Sequence, residues 1–156
     1  MALELEQVTS PTDDARALIG ELDAELSGPY APDERHGLSV ERVFRPEVMF
    51  FIARERGQAL GCGGVAFADG FAEVKRMYVR PTARGRGVAR AILDRLELEA
   101  RRRGITRLTL ETGDAQLAAI RLYEAAGFTR CAAFGAYADM PPRAIVHSIF
   151  FEKRTG

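Results

Sequence analysis

The sequence contains little cysteine and no surplus of either charge. Its two cysteines, Cys62 and Cys131, lie far apart, and neither belongs to a CxxC pair or to a Cys/His spacing typical of metal ligands. Lys plus Arg and Asp plus Glu both number 22, so the net charge is zero. Nucleic-acid-binding domains usually carry a basic excess. We therefore expect no disulfide framework, no metal and no nucleic-acid partner.

Long hydrophobic runs are also missing from the sequence. The apolar run at 48–53 has the length of a buried strand, far below the roughly 20 residues of a membrane-spanning helix. Residues 1–6 are acidic and lack the apolar centre of a signal peptide. These features predict a cytoplasmic protein with reduced thiols and no membrane partner.

The chain has the length and composition of one globular domain. It has 156 residues, of which 47% are hydrophobic and 28% charged, and we expect a single domain over 1–156 with its own core. Alternating patterns predict strands and 3.6-residue patterns predict helices. The predicted strands are 3–8, 48–54, 59–67, 71–79, 105–111, 128–134 and 144–152. The predicted helices are 11–26, capped by Ser10, then 40–44, 88–103, and 115–126, capped by Thr112 or Asp114.

This order of elements indicates a mixed α/β (α+β) fold. The strands at 48–54, 59–67 and 71–79 follow each other through short turns, including Asp69-Gly70, and predict an antiparallel meander. Gly61, Gly63 and Gly64 in the middle strand predict a bulge or a close backbone neighbour. The sheet should be largely antiparallel, with one strand–helix crossover through residues 80–89.

Residues 80–89 form a glycine-rich basic loop between a strand and a helix N-terminus, which is a favourable place for a diphosphate. A Walker loop does not match this segment. A GxGxxG dinucleotide loop would have Arg90 where its third glycine belongs. The pattern (R/Q)xxGx(G/A), present at 84–89, does match. On that pattern alone, a tight turn with surface arginines stays an alternative.

Two separate segments resemble the GCN5-related N-acetyltransferase (GNAT) superfamily. Residues 73–81, EVKRMYVRP, are similar to the family's fourth strand, which leads into its acyl-CoA diphosphate loop. Residues 116–128 are similar to the second signature, N-x-x-A-x-x-L-Y-x-x-x-G-F, with Gln116 in the usual Asn place. The resemblance extends from about Val48 to Phe128 and implies a GNAT fold with a splayed central sheet.

The resemblance implies acetyl-CoA as cosubstrate. Backbone N–H groups of the loop would bind the coenzyme A diphosphate, with the side chains of Arg84 and Arg86 near phosphate. The pantetheine arm would lie along the fourth strand, where a backbone N–H near Met77 or Tyr78 would bind the thioester oxygen. The implied coenzyme A contacts are Met77, Tyr78, Val79, Arg84, Gly85, Arg86, Gly87, Val88, Ala89, Gln116 and Tyr123.

The resemblance also implies two catalytic residues. Tyr123 matches the general acid that protonates the departing thiolate; a packing role against the ligand is the alternative. Glu73 lies eleven positions before Arg84, where some family members have a general-base glutamate. A strand-end carboxylate paired with Lys75 or an arginine is the other interpretation. A base is needed because a free alkylamine, with a pKa of about 10.4, is mostly charged at neutral pH.

The segments that the motifs do not cover are candidates for acceptor binding. Tyr30, Glu34 and His36 lie together in a loop that, in the family, shapes the acceptor pocket, and residues 134–142 are a candidate roof. We expect direct acetyl transfer to a small-molecule primary amine. A protein N-terminal or lysine acetyltransferase and a non-catalytic acyl-CoA sensor remain alternatives, and a homodimer stays open.

Overall fold

A computed structural model describes residues 2–156 and contains a seven-stranded sheet with helices on both faces. The helices are α1 (Asp13–Leu26), α2 (Val40–Val43), α3 (Val88–Arg102) and α4 (Leu117–Ala125). The strands are β1 (Glu4–Val8), β2 (Val48–Glu55), β3 (Gln58–Phe67), β4 (Ala72–Val79), β5 (Arg107–Gly113), β6 (Thr129–Arg130) and β7 (Ser148–Arg154).

The strands lie in the order β1-β2-β3-β4-β5-β7-β6. Every neighbouring pair is antiparallel except β4 and β5, which are parallel and are connected through α3. This confirms the predicted meander and the single crossover. The basic loop therefore lies at the carboxyl end of β4, between this strand and α3.

The two faces of the sheet carry separate apolar clusters, because side chains alternate along each strand. In β2, Phe51 faces α3 and α4, whereas Phe50 and Ile52 pack with α1. Helix α3 contributes Ile92 and Leu96, both fully buried. Burying each such side chain contributes about 1.5–3 kcal/mol. These contacts fix α3, and with it the position of the loop that precedes it.

The helix starts differ from the predicted ones. Helix α1 begins at Asp13 because Thr12, rather than Ser10, accepts the hydrogen bond from the N–H of Ala15 at 3.2 Å. Neither Thr112 nor Asp114 caps α4, whose N-cap position is Gln116. Both of the predicted capping residues are engaged elsewhere, since Thr112 lies in β5 and the Asp114 carboxylate accepts a hydrogen bond from His147 Nδ1 at 3.0 Å.

The C-terminal part of the sheet is shorter than predicted. The strand expected at 128–134 pairs only as β6, and Phe134 turns into an aromatic cluster with Tyr137 and Phe150. Residues 135–145 contain two 3₁₀ turns, and the last strand begins at Ser148 rather than near residue 144. Within residues 2–156, no helix is long and apolar enough to cross a membrane.

Candidate active site

Strands β4 and β5 pair at one end and then diverge. Three residue pairs join them, the last being Val74 with Leu110. A bulge lies just beyond this point, because β4 places Arg76 and Met77 opposite Gly63 of β3. Arg76 has a φ of 56°, which is unusual for a residue with a side chain. The bulge bends β4 away from β5 and leaves an opening lined by both strands, as the GNAT resemblance implied.

The loop between β4 and α3 has the geometry of an anion site. Gly85 and Gly87 have φ values of 76° and 80°, and no heavy atom lies within 4 Å of where a Cβ would be at either position. Helix α3 begins at Val88, and its first hydrogen bond in the helical pattern runs from Ala91 to the carbonyl of Gly87. The first N–H groups of a helix lack acceptors within it, so this end can bind an anion through its backbone.

The arginine side chains of this loop bind carboxylates of the protein. Arg84 donates to Glu25 at 2.8 Å and to the carbonyl of Val79 at 3.0 Å. Arg86 donates to Glu55 at 2.7 Å. Each of these two arginines thus has a carboxylate partner within the protein. Backbone N–H groups remain the main candidates for contacting a diphosphate.

Tyr123 lies on α4 and faces the opening between β4 and β5. It is 6% exposed, and its ring packs against Phe128 and Phe151. No side chain or carbonyl among residues 2–156 forms a hydrogen bond with its hydroxyl. Burial, followed by the nearby charge of Glu111, raises the pKa of Tyr123 above its ordinary value. The phenol is therefore protonated at neutral pH and can donate a proton.

Tyr123 belongs to the wall of a cavity of about 130 Å³ at this opening. The predicted site residues in this wall come from three segments. Glu73 and Met77 belong to β4, and Gln116 directly precedes α4. The third segment is the loop after α1. From that loop, the cavity wall includes Tyr30, Glu34, Arg35, His36 and Gly37.

Glu73 is held by two donors at the edge of the cavity. The hydroxyl of Tyr137 donates to its Oε2 at 2.6 Å, and the Lys75 ammonium does so at 3.1 Å. Lys75 also donates to the carbonyl of His36. The predicted pairing of Glu73 with Lys75 is thus present, together with a tyrosine contact that the sequence did not indicate. Burial raises the pKa of the Tyr137 phenol, and the charge of Glu73 raises this pKa further.

Glu111 is a second carboxylate in this cavity, and the sequence analysis missed it. It lies near the end of β5, and its Oε2 accepts a hydrogen bond from the Ser148 hydroxyl at 2.6 Å. Burial raises the pKa of Glu111 above its usual range, while Ser148, His36 and Lys75 oppose this shift. A glutamate close to the end of a strand beside the predicted splay was the one available signal.

The three predicted acceptor residues come together and connect distant parts of the chain. The Tyr30 hydroxyl accepts a hydrogen bond from the N–H of Ala115 at 2.8 Å. His36 donates from Nε2 to the carbonyl of Ala144 at 2.7 Å, and Glu34 lies 3.4 Å from Nε2 of His147. These contacts fix the loop after α1 over the cavity.

A second cavity, of about 430 Å³, adjoins the first. Part of its wall is aromatic and apolar, formed by Phe71, Phe134, Tyr137 and Met140. Of the predicted roof residues 134–142, five line this cavity, namely Phe134, Gly135, Ala136, Tyr137 and Met140. Both cavities share the wall residues Arg35, His36, Gly37, Glu73 and Lys75. The two cavities consequently meet beside Glu73.

Several other side chains are directed away from this opening. Tyr78 donates to Glu21 at 3.3 Å and packs with the α1 cluster, so only its backbone could serve the site. The side chain of Val88, the first residue of α3, is buried in the core. Cys62 is buried, which raises the pKa of its thiol to about 12. In the part of the chain that the structure describes, no three His, Cys, Asp or Glu side chains form a group suited to a metal ion.

The comparison with protein families identifies the class. The acetyltransferase (GNAT) family matches residues 16–128 of the chain. Because this match covers most of the sequence, the chain belongs to the acetyltransferase (GNAT) family, and the prediction of an N-acetyltransferase enzyme is confirmed.

Relatives and solved structures agree with this assignment. The chain is 42% identical over 147 residues to the IAA acetyltransferase of Azospirillum brasilense, covering 92% of this chain and 93% of that protein. It is 34% identical over 126 residues to the uncharacterized N-acetyltransferase YsnE of Bacillus subtilis (strain 168), covering 79% and 80%. The PaiA N-acetyltransferase of Thermoplasma acidophilum, solved in complex with coenzyme A, superposes with a TM-score of 0.75. The two chains are only 16% identical, but the superposition covers 99% of each, which confirms the fold.

Proposed function

We propose that this protein, acting as one domain, transfers an acetyl group from acetyl-CoA to a primary amine of a small molecule. The observation that carries the proposal is the opening between β4 and β5, which lies next to an anion-binding helix N-terminus and contains Tyr123. A carrier with a diphosphate at one end and a thioester at the other fits this combination. The coenzyme A bound to the Thermoplasma relative supports the same cosubstrate.

In this proposal, the loop binds the carrier and β4 orients the thioester. The backbone N–H groups of residues 84–89 bind the diphosphate. The backbone of Met77, Tyr78 and Val79, which is free of β5 beyond the last pair at Val74, binds the pantetheine arm. A β4 N–H near Met77 or Tyr78 stabilises the negative charge that develops on the thioester oxygen. Gln116 and Tyr123 lie at the thioester end.

The acetyl group passes directly to the amine in a ternary complex. The amine nitrogen forms a bond to the thioester carbonyl carbon, and the carbon–sulfur bond breaks. Tyr123 gives its proton to the leaving thiolate, for which a phenol is a suitable donor. The amine must lose a proton before or during attack, and this requires a base on the acceptor side of the opening.

Glu73 is the proposed base, and Glu111 is a second candidate. Glu73 lies where both cavities meet, but its carboxylate already accepts two hydrogen bonds. Glu111 accepts one side-chain hydrogen bond, and burial raises its pKa, which makes it a stronger base once it is ionised. Glu73→Gln and Glu111→Gln separate the two, because loss of the true base lowers kcat by about 100-fold or more.

The loop after α1, which crosses the acceptor side, favours a small molecule over a protein chain. Tyr30 and His36 connect the loop after α1 to Ala115 and Ala144 across the cavity. An extended peptide would need a groove open at both ends. The cytoplasmic location remains a prediction from the sequence, and a homodimer stays open.

A thiol-release assay with acetyl-CoA and a panel of amines and peptides tests the proposal. We expect release with small amines, and initial velocities that give intersecting double-reciprocal lines when both substrates are varied. Release with peptides alone would favour a protein acetyltransferase. Tight coenzyme A binding without release for any acceptor would favour the non-catalytic sensor.

A further inference from the structure

Arg35 lies where the two cavities meet, and the described residues, 2–156, offer no partner for its charge. It is half-buried and lines both cavities. Its Nε is shielded from solvent and has no hydrogen-bond partner. Across residues 2–156, no carboxylate forms an ion pair with its guanidinium.

The neighbouring cations differ from Arg35 in this respect. Lys75 binds Glu73, Tyr137 and the carbonyl of His36. Arg76, which is also buried, binds the carboxylate of Asp23, although its own Nε lacks an acceptor. Of Arg35, Lys75 and Arg76, only Arg35 has no carboxylate partner among residues 2–156.

A half-buried arginine with an unpaired N–H group favours an anionic ligand. A guanidinium keeps its charge in proteins and presents a planar fork of donors that matches a carboxylate. A partly buried charge and a buried N–H without an acceptor both cost stability. A ligand anion in the cavity would remove that cost. The diphosphate of coenzyme A is not a candidate, because none of residues 84–89 lines either cavity.

We propose that the acceptor amine also bears a carboxylate, as an amino acid does, and that Arg35 binds this carboxylate. This inference rests on the proposed function. The amine end of such an acceptor lies beside Glu73 and Glu111, whose carboxyl oxygens can accept hydrogen bonds from an ammonium. The side chain of the acceptor extends into the second cavity, where Phe71 and Phe134 provide an apolar wall.

Matched acceptors with and without the carboxylate test the inference. The pairs are phenylalanine with phenylethylamine, leucine with isoamylamine, and alanine with ethylamine. In thiol-release assays we expect the amino acid of each pair to have a kcat/KM at least about 10-fold higher, since charge-assisted hydrogen bonds are strong. Equal kcat/KM values within every pair would overturn the inference, while acetyl transfer itself would stand.

Variants of Arg35 assign the effect to this residue. Arg35→Gln should raise KM for the amino acids about 10-fold to 100-fold and leave kcat and the KM of the plain amines nearly unchanged. Arg35→Lys should give KM values for the amino acids between those of the native protein and those of Arg35→Gln. Arg143→Gln, at an exposed arginine that lines neither cavity, is the matched control and should change nothing. An equal loss on both members of each pair in Arg35→Gln would contradict a carboxylate contact.

Calorimetry with phenylalanine and phenylethylamine, in the presence of coenzyme A, separates this inference from the proposed function. Binding of phenylalanine that Arg35→Gln abolishes, without thiol release for any amine, would retain the carboxylate site and refute acetyl transfer. Absence of both binding and release would refute both.

Discussion

At the residue scale, the chemistry depends on how burial alters two side chains that face the same opening. Tyr123 and Glu111 are both removed from water, and in each case burial raises the pKa. The raised pKa keeps the Tyr123 phenol protonated until the thiolate leaving group forms beside it. For the carboxylate it increases proton affinity. In the proposed mechanism, the donor for the thiolate and one of the two candidate bases thus lie in one cavity.

Tyr123→Phe tests the acid role. The ring packs on Phe128 and Phe151, and these contacts persist in phenylalanine. We expect kcat to fall by about 100-fold, the usual contribution of a general acid, with little change in acetyl-CoA affinity measured by calorimetry. An unchanged rate in a single-turnover experiment, where product release does not contribute, would exclude Tyr123 as the acid.

Glu111 should make the stability of the protein depend on pH. The folded-state pKa of Glu111 is raised above its ordinary value of 4.5. The stability that protonated Glu111 contributes to the folded protein is therefore fully present below pH 4.5 and is lost as pH rises through the folded-state pKa. Glu111→Gln lacks this titration. Urea unfolding between pH 4.5 and 8 should show the variant gaining stability relative to the native protein as pH rises. A constant difference between the two curves would contradict a raised pKa.

Motifs predict some of these residues and cannot predict others. Tyr123 and Glu73 have fixed places relative to the two motif segments, so the sequence alone identifies them as candidates. The environment of Glu111 is created by Ser148, which comes from a distant strand. Likewise, Tyr137 reaches Glu73 across 64 positions of the chain. Such contacts arise from tertiary packing and leave no local pattern.

At the element scale, the start of α3 carries the proposed anion site. Gly87 has a positive φ and open space where a side chain would be. Gly87→Glu would place a negative charge at the site of the diphosphate. We expect this variant to lose coenzyme A binding by calorimetry.

Gly70→Glu is a matched control for that change. Gly70 also has a positive φ, of 86°, and equally open space, but it lies in the turn before β4 and lines neither cavity. Both variants should lose similar stability, because a side chain at positive φ costs roughly 1 kcal/mol. If both variants kept full coenzyme A affinity, the loop would not be the diphosphate site.

The elements themselves are predictable where short-range patterns determine them. The apolar run at 48–53, the strand-like pattern at 73–79 and the helical spacing after residue 88 match β2, β4 and α3. Helix caps and the last strands are less predictable. Asp114 could have capped α4, yet it instead bonds His147. Competition between local and distant partners decides such cases, and the sequence does not reveal the distant partner.

At the scale of the whole molecule, the splayed sheet separates two tasks. In the proposed function, the side that carries the basic loop binds the carrier. The opposite side, lined by the loop after α1 and by residues 134–137, binds the acceptor. The carrier side follows from contiguous motifs. The acceptor side is assembled from segments about 100 positions apart, such as His36 and Ala144. This explains why the sequence indicated the cosubstrate but left the acceptor undefined.

The central claim is that acetyl-CoA and an amine react directly in this opening. The most direct measurement mixes the protein with labelled acetyl-CoA, first alone and then with an amine acceptor, and follows the label by mass spectrometry. We expect no acetylated protein in the first step, and in the second step one acetylated amine for each coenzyme A released. Label that is transferred stably to the protein, or that remains on coenzyme A with every amine, would contradict it.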